Sequence, residues 1–453
     1  MAMIQASDAA LLDVVLEPDG ADPATTEQSL LEALHAIRAH LGMEVAFISE
    51  FDQDRRVFRF VDEDDGAPRL DVGASDPRES SYCQRVVDGR LPELIPNAGE
   101  NAEALTLPAT QQIPIGAHLS VPIRLEDGSV YGTLCCFDRR PDTSLNERDL
   151  GMMRVFADFA ARQLERQRAR KRRDRAVEAK IREVLDQRHF HMLFQPMHDL
   201  DAQRVAGFEA LARFTAVPQQ GPDKWFEQAG TVGLREELEL AAIEQALASL
   251  PDVPASAYLS LNASPNTILS GRLDALLGEH PLERLMLEVT EHDVVEDYAD
   301  LAKALAPMRK QGLRLAVDDA GAGYASFRHI LSLAPDIIKL DRSLTHDLDS
   351  RPDSRALAAA LIGFAAETGS RLVAEGVETE AELAALREIG VCKAQGYLLG
   401  RPGPLPSGCR SLAKATKQVG ALLVGPFTYR PRGITTDRLL PSTHGYDHPA
   451  AGG

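Results

Sequence analysis

"MLFQPMHDLDAQRVAGFEAL", residues 192–211, holds two β-rich apolar runs, MLFQPM (192–197) and VAGFEAL (205–211), with only a short polar segment between them. That segment leaves no room for a crossover helix, so the two runs must pair antiparallel. Each run also sets a polar side chain into an apolar pattern, Gln195 in the first and Glu209 in the second. One acid at the end of a strand is ordinarily a turn or a helix start. The feature gains meaning because later runs repeat it.

Downstream lie AYLSLN (257–262), LMLEV (285–289), LRLAVDD (313–319), IIKLD (337–341), RLVAEG (371–376) and AQGYLL (394–399). Helical patterns such as REELELAAIEQALASL and YADLAKALAPMRKQG separate them. Strand–helix alternation carried to eight strands predicts a (β/α)₈-type barrel with one antiparallel strand rather than an open sheet. Nearly every run ends in a polar residue: Gln195, Glu209, Asn262, Glu288, Asp318 with Asp319, Lys339 with Asp341, Glu375 and Gln395. In such a barrel the strand ends and following loops build one mouth, so these side chains converge. Glu209, Glu288, Asp318, Asp319 and Glu375 cannot all be ionised there without cations. Oxygen donors with an Asn amide and no His or Cys favour Mg²⁺ or Mn²⁺ over Zn²⁺. The set suffices for two ions about 4 Å apart, an arrangement suited to in-line phosphoryl chemistry.

The ordered motifs Gln195-Pro196, Glu209-Ala210-Leu211 with Arg213, LEVTE, VDDAGAGYAS, IIKLD, AEGVET and QGYLLG resemble the EAL-domain family of cyclic di-GMP phosphodiesterases. The resemblance implies a barrel with one reversed strand, and metal-dependent hydrolysis of cyclic di-GMP to linear pGpG. It implies that Glu209, Asn262, Glu288 and Asp318 hold one metal. Asp318 and Asp319 would hold the second, with Glu375 ligating it or accepting a proton from the attacking water. Lys339 would position that water and offset developing charge, and Asp341 would orient Lys339. Gln195, Leu211, Arg213 and Gln395 are implied as substrate-binding residues, with Gln395 also near a metal-bound water. Glu291 and Glu378 are implied to anchor loops. The family loop usually reads Asp-Asp-Phe-Gly-Thr-Gly-Tyr-Ser-Ser, whereas residues 318–326 read DDAGAGYAS. Loss of an aromatic and two hydroxyls should loosen the loop without deleting a ligand. The alternative function is a catalytically idle cyclic di-GMP receptor.

Residues 183–408 thus read as an EAL phosphodiesterase domain. Ahead of it, residues 25–168 begin with a helical pattern, TEQSLLEALHAIRAHLG, that Gly42 should stop. EVAFISEFDQDRRVFRFV then reads as strand, turn, strand, and Asp127-Gly128 lies between two alternating runs as a hairpin signal. This α+β unit resembles a GAF sensor domain, most clearly in LSVPIRLEDGSVYGTLCCFDRRP; its ligand is not named by the sequence. Cys83 reads as a small buried hydrophobe rather than a chromophore or metal anchor. Strand alternation puts one of Cys135 and Cys136 inward and the other outward. Residues 169–182 read as a solvated linker helix, through which the sensor would reset the loop after Asp319. Residues 1–24, acidic and broken by EPDGADP, and the Pro/Gly-rich 409–453 read as lying outside either core.

The chain's 453 residues exceed one ordinary core. Its formal charge of -19 argues against a nucleic-acid polymer or an anionic membrane surface as partner. Five cysteines without a C-x-x-C pair, no basic N-terminal leader and no long apolar run read as a cytoplasmic protein with reduced thiols. The family expectation is a homodimer.

Overall fold

A computed structural model describes residues 23–289, 297–320 and 330–405. The chain divides into two compact units, Met1–Val177 and Glu178–Gly453. Glu291, the loop residues 321–329 and the Pro/Gly-rich tail fall outside the described residues.

The first unit opens with helix α1 (Pro23–Leu41), whose Leu30, Leu34, Ile37 and Leu41 recur on one face and are buried. Gly42 ends it at φ +61°, a left-handed conformation that glycine adopts without strain. There follow β1 (Val45–Asp52), β2 (Arg55–Glu63), β3 (Ser75–Pro77), the short helix α2 (Tyr82–Val87), β4 (Leu94–Ile95), β5 (Ala117–Arg124) and β6 (Val130–Asp138). The strands form one antiparallel sheet in the order β3-β2-β1-β6-β5-β4. The Asp127-Gly128 hairpin joins β5 to β6, and the Asp127 carboxylate accepts from the Ser129 N–H at 2.9 Å. Helix α3 (Glu147–Asp186) contributes Met153, Phe156 and Ala160 to a core that α1 shares.

The two cysteines of β6 correct a sequence expectation. Alternation does send them to opposite faces, Cys136 into the core under α1 and Cys135 into a second core, but neither faces outward. α2 and the segment carrying Ala98, Ala104 and Leu107 cover the second face, so both thiols are fully buried.

In the second unit β7 (Phe190–Asp199) and β8 (Arg204–Phe214) form the antiparallel pair expected, with Gln195 directly opposite Glu209. Helices α4 (Pro222–Thr231) and α5 (Arg235–Leu247) lead to β9 (Tyr258–Asn262) and β10 (Leu285–Val289). Then come α6 (Tyr298–Lys310), β11 (Arg314–Ala320), β12 (Ile337–Leu340), α7 (Arg342–Thr345), α8 (Pro352–Glu367), β13 (Arg371–Ala374), α9 (Glu380–Glu388) and β14 (Lys393–Ala394). The strands close in the order β10-β11-β12-β13-β14-β7-β8-β9. β7 runs antiparallel to both neighbours, and the other ladders are parallel.

Inside the barrel, Met197, Ala206, Tyr258, Met286, Ala316, Ile337 and Val373 form a buried apolar plug. Side chains alternate along a strand, so residues two positions on share its face. Two residues beyond the plug lie Ser260, Glu288, Asp318, Lys339 and Glu375. On the reversed strand Gln195 precedes Met197 by the same step. The polar layer is therefore set by the plug beneath it. Gly207 belongs to this fit, because a Cβ there would lie 2.5 Å from the Tyr258 ring.

The last expected strand is shorter than AQGYLL suggests. Pairing stops at Ala394, and Leu398 N–H turns back to the Val377 carbonyl at 3.1 Å. Gly396 allows the turn: a Cβ there would stand 2.1 Å from the Val377 oxygen. Gly396→Ala should therefore overpack backbone against backbone and cost roughly 2 kcal/mol or more, read as a lower denaturation midpoint with an unchanged slope.

Candidate active site

Lys339, fully buried on β12, is the centre of the polar layer. Its Nζ lies 2.6 Å from Glu288 Oε2, 2.6 Å from Glu375 Oε1, 3.2 Å from Asp318 Oδ1 and 3.7 Å from Glu209 Oε2. One ammonium thus meets four carboxylates, whose bearers follow or lie in β8, β10, β11 and β13. Ionised together, the five groups would carry a net charge of -3 in a site that water scarcely reaches. Such a charge is not sustained at low dielectric without proton uptake or a cation.

The electrostatics follow. Burial, opposed by Lys339 and reinforced by Glu209 and Asp318, pushes the Glu288 carboxyl up to about 8. Burial likewise raises Glu375 well above the usual carboxylate range, with the Lys339 charge opposing. Burial would deprotonate Lys339, but the surrounding carboxylates win and hold its ammonium form.

A second set of contacts ties the acids to their strands. Asn262 Nδ2 donates to Glu209 Oε1 at 3.3 Å, and Gln395 Nε2 donates to Glu209 Oε2 at 2.6 Å and to Gln195 Oε1 at 3.1 Å. Gln195 Nε2 donates in turn to the Gly400 carbonyl at 3.1 Å. Among the described residues, Gln395 Oε1 is buried without a hydrogen-bond partner. Carboxylate and amide oxygens in charge excess, one of them unpartnered, are the donor set of a hard divalent cation. Glu209, Asn262, Glu288, Asp318 and Glu375 fit that use.

A cavity of about 510 Å³ abuts Asn262. Leu211, Phe226, Ile243 and Leu261 line it with Arg213 and Arg235. Arg213 Nη1 donates to the Ala212 carbonyl at 2.8 Å. The cavity is mostly apolar, and both basic groups (Arg213, Arg235) and acidic ones (Asp223, Glu227, Glu239) line it.

The EAL domain family matches residues 178–402, and the GAF domain family matches residues 24–165. The chain joins a GAF domain to an EAL domain. A cyclic di-GMP phosphodiesterase of Pseudomonas aeruginosa is 32% identical over 225 residues, covering 47% of this chain and 38% of the relative. The cyclic di-GMP phosphodiesterase RocR of the same organism is 32% identical over 232 residues, 49% of this chain and 59% of the relative. In both cases this chain spans less than two thirds of the relative's own length. The EAL domain of Xanthomonas citri FimX, solved in complex with c-diGMP, superposes with a TM-score of 0.46 at 23% identity, covering 53% of this chain and all of that one.

In the EAL domain the structure brings together Gln195, Glu209, Asn262, Glu288, Asp318, Lys339, Glu375 and Gln395. Leu211 and Arg213 stand apart, at the cavity. Asp319 is in β11, but its side chain lies outside the described residues, as does all of Glu291. Glu378 pairs with Arg342 of α7 at 2.8 Å, away from Lys339. Asp341 departs from its expected role. Its carboxylate accepts from the Ser343 N–H at 2.8 Å and so caps α7, while carboxylates on other strands hold Lys339. A residue next in sequence but one along a strand end turns readily into the helix that follows, and here it does.

Ser260 is a contributor the sequence reading missed: its hydroxyl donates to Glu288 Oε1 across the β9–β10 ladder. The signal was there in LSLN, where Ser260 shares the inward face with Asn262.

Proposed function

We propose that the EAL domain hydrolyses one phosphodiester of cyclic di-GMP, giving linear pGpG, with Mg²⁺ or Mn²⁺ bound, two ions per site. The observation that carries this reading is the convergence of Glu209, Glu288, Asp318 and Glu375 on Lys339 within 3.7 Å. When bound, the ions supply Lewis acidity to the phosphate oxygens and to the attacking water. Glu209, Asn262, Glu288 and Asp318 would hold the first ion, and Asp318 with Asp319 the second. Glu375, whose basicity burial raises, suits a proton acceptor for water as its oxygen bonds to phosphorus. The Lys339 ammonium offsets the charge that grows on the phosphoryl oxygens, in a site too dry for water to do so. Arg213 would grip a phosphate oxygen, Leu211 would bound the same cavity, and Gln195 and Gln395 would orient the substrate with Glu209.

Two relatives that are named cyclic di-GMP phosphodiesterases support the substrate. The proposal includes regulation by the GAF domain, whose ligand is unspecified, and action as a homodimer in the cytoplasm. Among the described residues no helix is long and apolar enough to cross a membrane.

Incubating the protein with cyclic di-GMP and Mg²⁺ or Mn²⁺ should yield pGpG on chromatography. Absence of product would overturn the reading. Metal-independent binding without turnover would instead establish the idle receptor, which the altered loop at 320–326 favours.

Metal loading should also be visible as proton release. Burial raises Glu288 to about 8, so a proton it holds must leave before it acts as a ligand. Mn²⁺ affinity should therefore climb as pH rises from 6 to 8. Calorimetry at pH 7 in buffers of different ionisation enthalpy should report roughly one proton or more released per site. A heat independent of buffer would count against this cluster as the metal site.

A further inference from the structure

Beneath α2 in the first unit lies a polar nest that the proposed chemistry does not use. Cys83 Sγ stands 3.5 Å from Cys135 Sγ, and both residues are fully buried. They come from different elements, α2 and β6, so nothing in the local chain forces them together. Arg56 of β2 reaches in from the side, and its Nη1 donates to Cys83 Sγ at 3.2 Å. Its other donors hold Asp76, with Nε on Oδ1 at 2.9 Å. Cys135 Sγ lies 3.1 Å from each of the Ser120 and Thr133 hydroxyls, and Ser49 Oγ is 3.7 Å from Cys83 Sγ.

We propose that Cys83 and Cys135 are a redox pair that hydrogen peroxide closes into a disulfide inside the GAF domain. The assignment is independent of the phosphodiesterase reading.

Two thiols that serve only as packing need no guanidinium. Arg56 is itself buried, and a cation carried there is costly unless an anion answers it. Asp76 answers it on one side and the Cys83 sulfur on the other. Burial by itself would raise the Cys83 thiol, but the hydrogen bond with Cys135 and the Arg56 charge bring it down to about 5. Burial raises Cys135, which therefore keeps its proton and donates toward Cys83. This is the asymmetry of an attacking and a resolving sulfur. Asp76 is part-exposed, so the Arg56–Asp76 pair runs from the surface to the sulfur. Only about 1.5 Å of approach separates the present contact from an S–S bond of about 2.05 Å. α2 is short, with Ser81 Oγ accepting from the Gln84 N–H at 3.2 Å as its side-chain cap, and small shifts of it supply that approach.

The chemistry balances. The Cys83 thiolate attacks one peroxide oxygen; an S–O bond forms, the O–O bond breaks, and hydroxide leaves as water after taking a proton. Cys135 then attacks the Cys83 sulfur; S–S forms, S–O breaks, and the departing hydroxide carries off the Cys135 proton as a second water. Two thiols lose two electrons, and peroxide gains them.

The full chain, treated with hydrogen peroxide and then denatured, should fall from five titratable thiols to three. A non-reducing peptide map should contain a Cys83–Cys135 linked peptide that dithiothreitol releases. Cys135→Ser should stop at the sulfenic acid, trapped by dimedone on Cys83. Arg56→Met should slow thiol loss at pH 7 at least tenfold, with the gap narrowing toward pH 9 as the unassisted thiol ionises. Retention of five thiols, or loss confined to the exposed Cys392, would overturn the proposal. So would a Cys135→Ser protein that is folded by circular dichroism but yields no dimedone adduct on Cys83. If either variant fails to fold, the wild-type peptide map alone decides.

Discussion

Lys339→Met should destabilise the metal-free protein more than any other single substitution at the barrel mouth. The ammonium is in contact with Glu209, Glu288, Asp318 and Glu375, and replacing it takes that positive charge from all four at once. Breaking a buried ion pair from one side costs about 3–5 kcal/mol, because the survivors stay desolvated and uncompensated. The carboxylates will relieve part of this by binding protons, which fixes the sign of the pH dependence. A carboxyl whose folded pKa lies above its unfolded value takes up a proton on folding, so its contribution is complete at low pH and is lost as pH rises through the folded pKa. Glu288 and Glu375 are already raised with Lys339 present, and its loss removes the influence that lowers them. The deficit of the variant should therefore be small near pH 5 and grow through pH 8. Denaturant melts in EDTA at the two pH values would measure it, and saturating Mn²⁺ should recover part of the loss at pH 8. A variant as stable as the parent at pH 8 in EDTA would show that the acids do not share one buried site.

Glu209→Ala should have the largest effect on turnover with little cost in folding. Glu209 joins three sets of contacts: Asn262 on one oxygen, Gln395 and Lys339 on the other, and through Gln395 the reversed strand at Gln195. Its removal takes away a proposed metal ligand and frees two amides to reorient. Loss of one preorganised electrostatic contact costs about 10²–10³-fold in rate, and here ligand and orientation go together, so a fall of at least about 10³-fold is expected. Glu209→Gln should be nearly as inactive while keeping the amide contacts, which separates lost charge from lost packing. Equal rates of pGpG formation by parent and Glu209→Ala would remove the proposed role.

Much of this site was legible in the sequence because the information is periodic. The apolar runs carry a step of two, the short HDLDAQR segment forces β7 and β8 antiparallel, and Glu288, Asp318, Lys339 and Glu375 each follow an apolar neighbour on the same face. The features that escaped depend on contacts no local pattern encodes. Strand β14 stops at Ala394 because Gly396 meets the Val377 carbonyl, a residue from another strand's loop. Asp341 looks like a partner for Lys339 by proximity in sequence, but the start of α7 offers it a nearer N–H. Cys135 escaped the outward face because a loop with no periodic signature lies over it.

The apolar plug made by Met197, Tyr258, Met286, Ile337 and their neighbours has a further meaning for traffic. Among the described residues it fills the barrel beneath Lys339 like a cork. A cyclic dinucleotide and its opened product would share one doorway, and the spent molecule would have to clear the threshold before the next could enter.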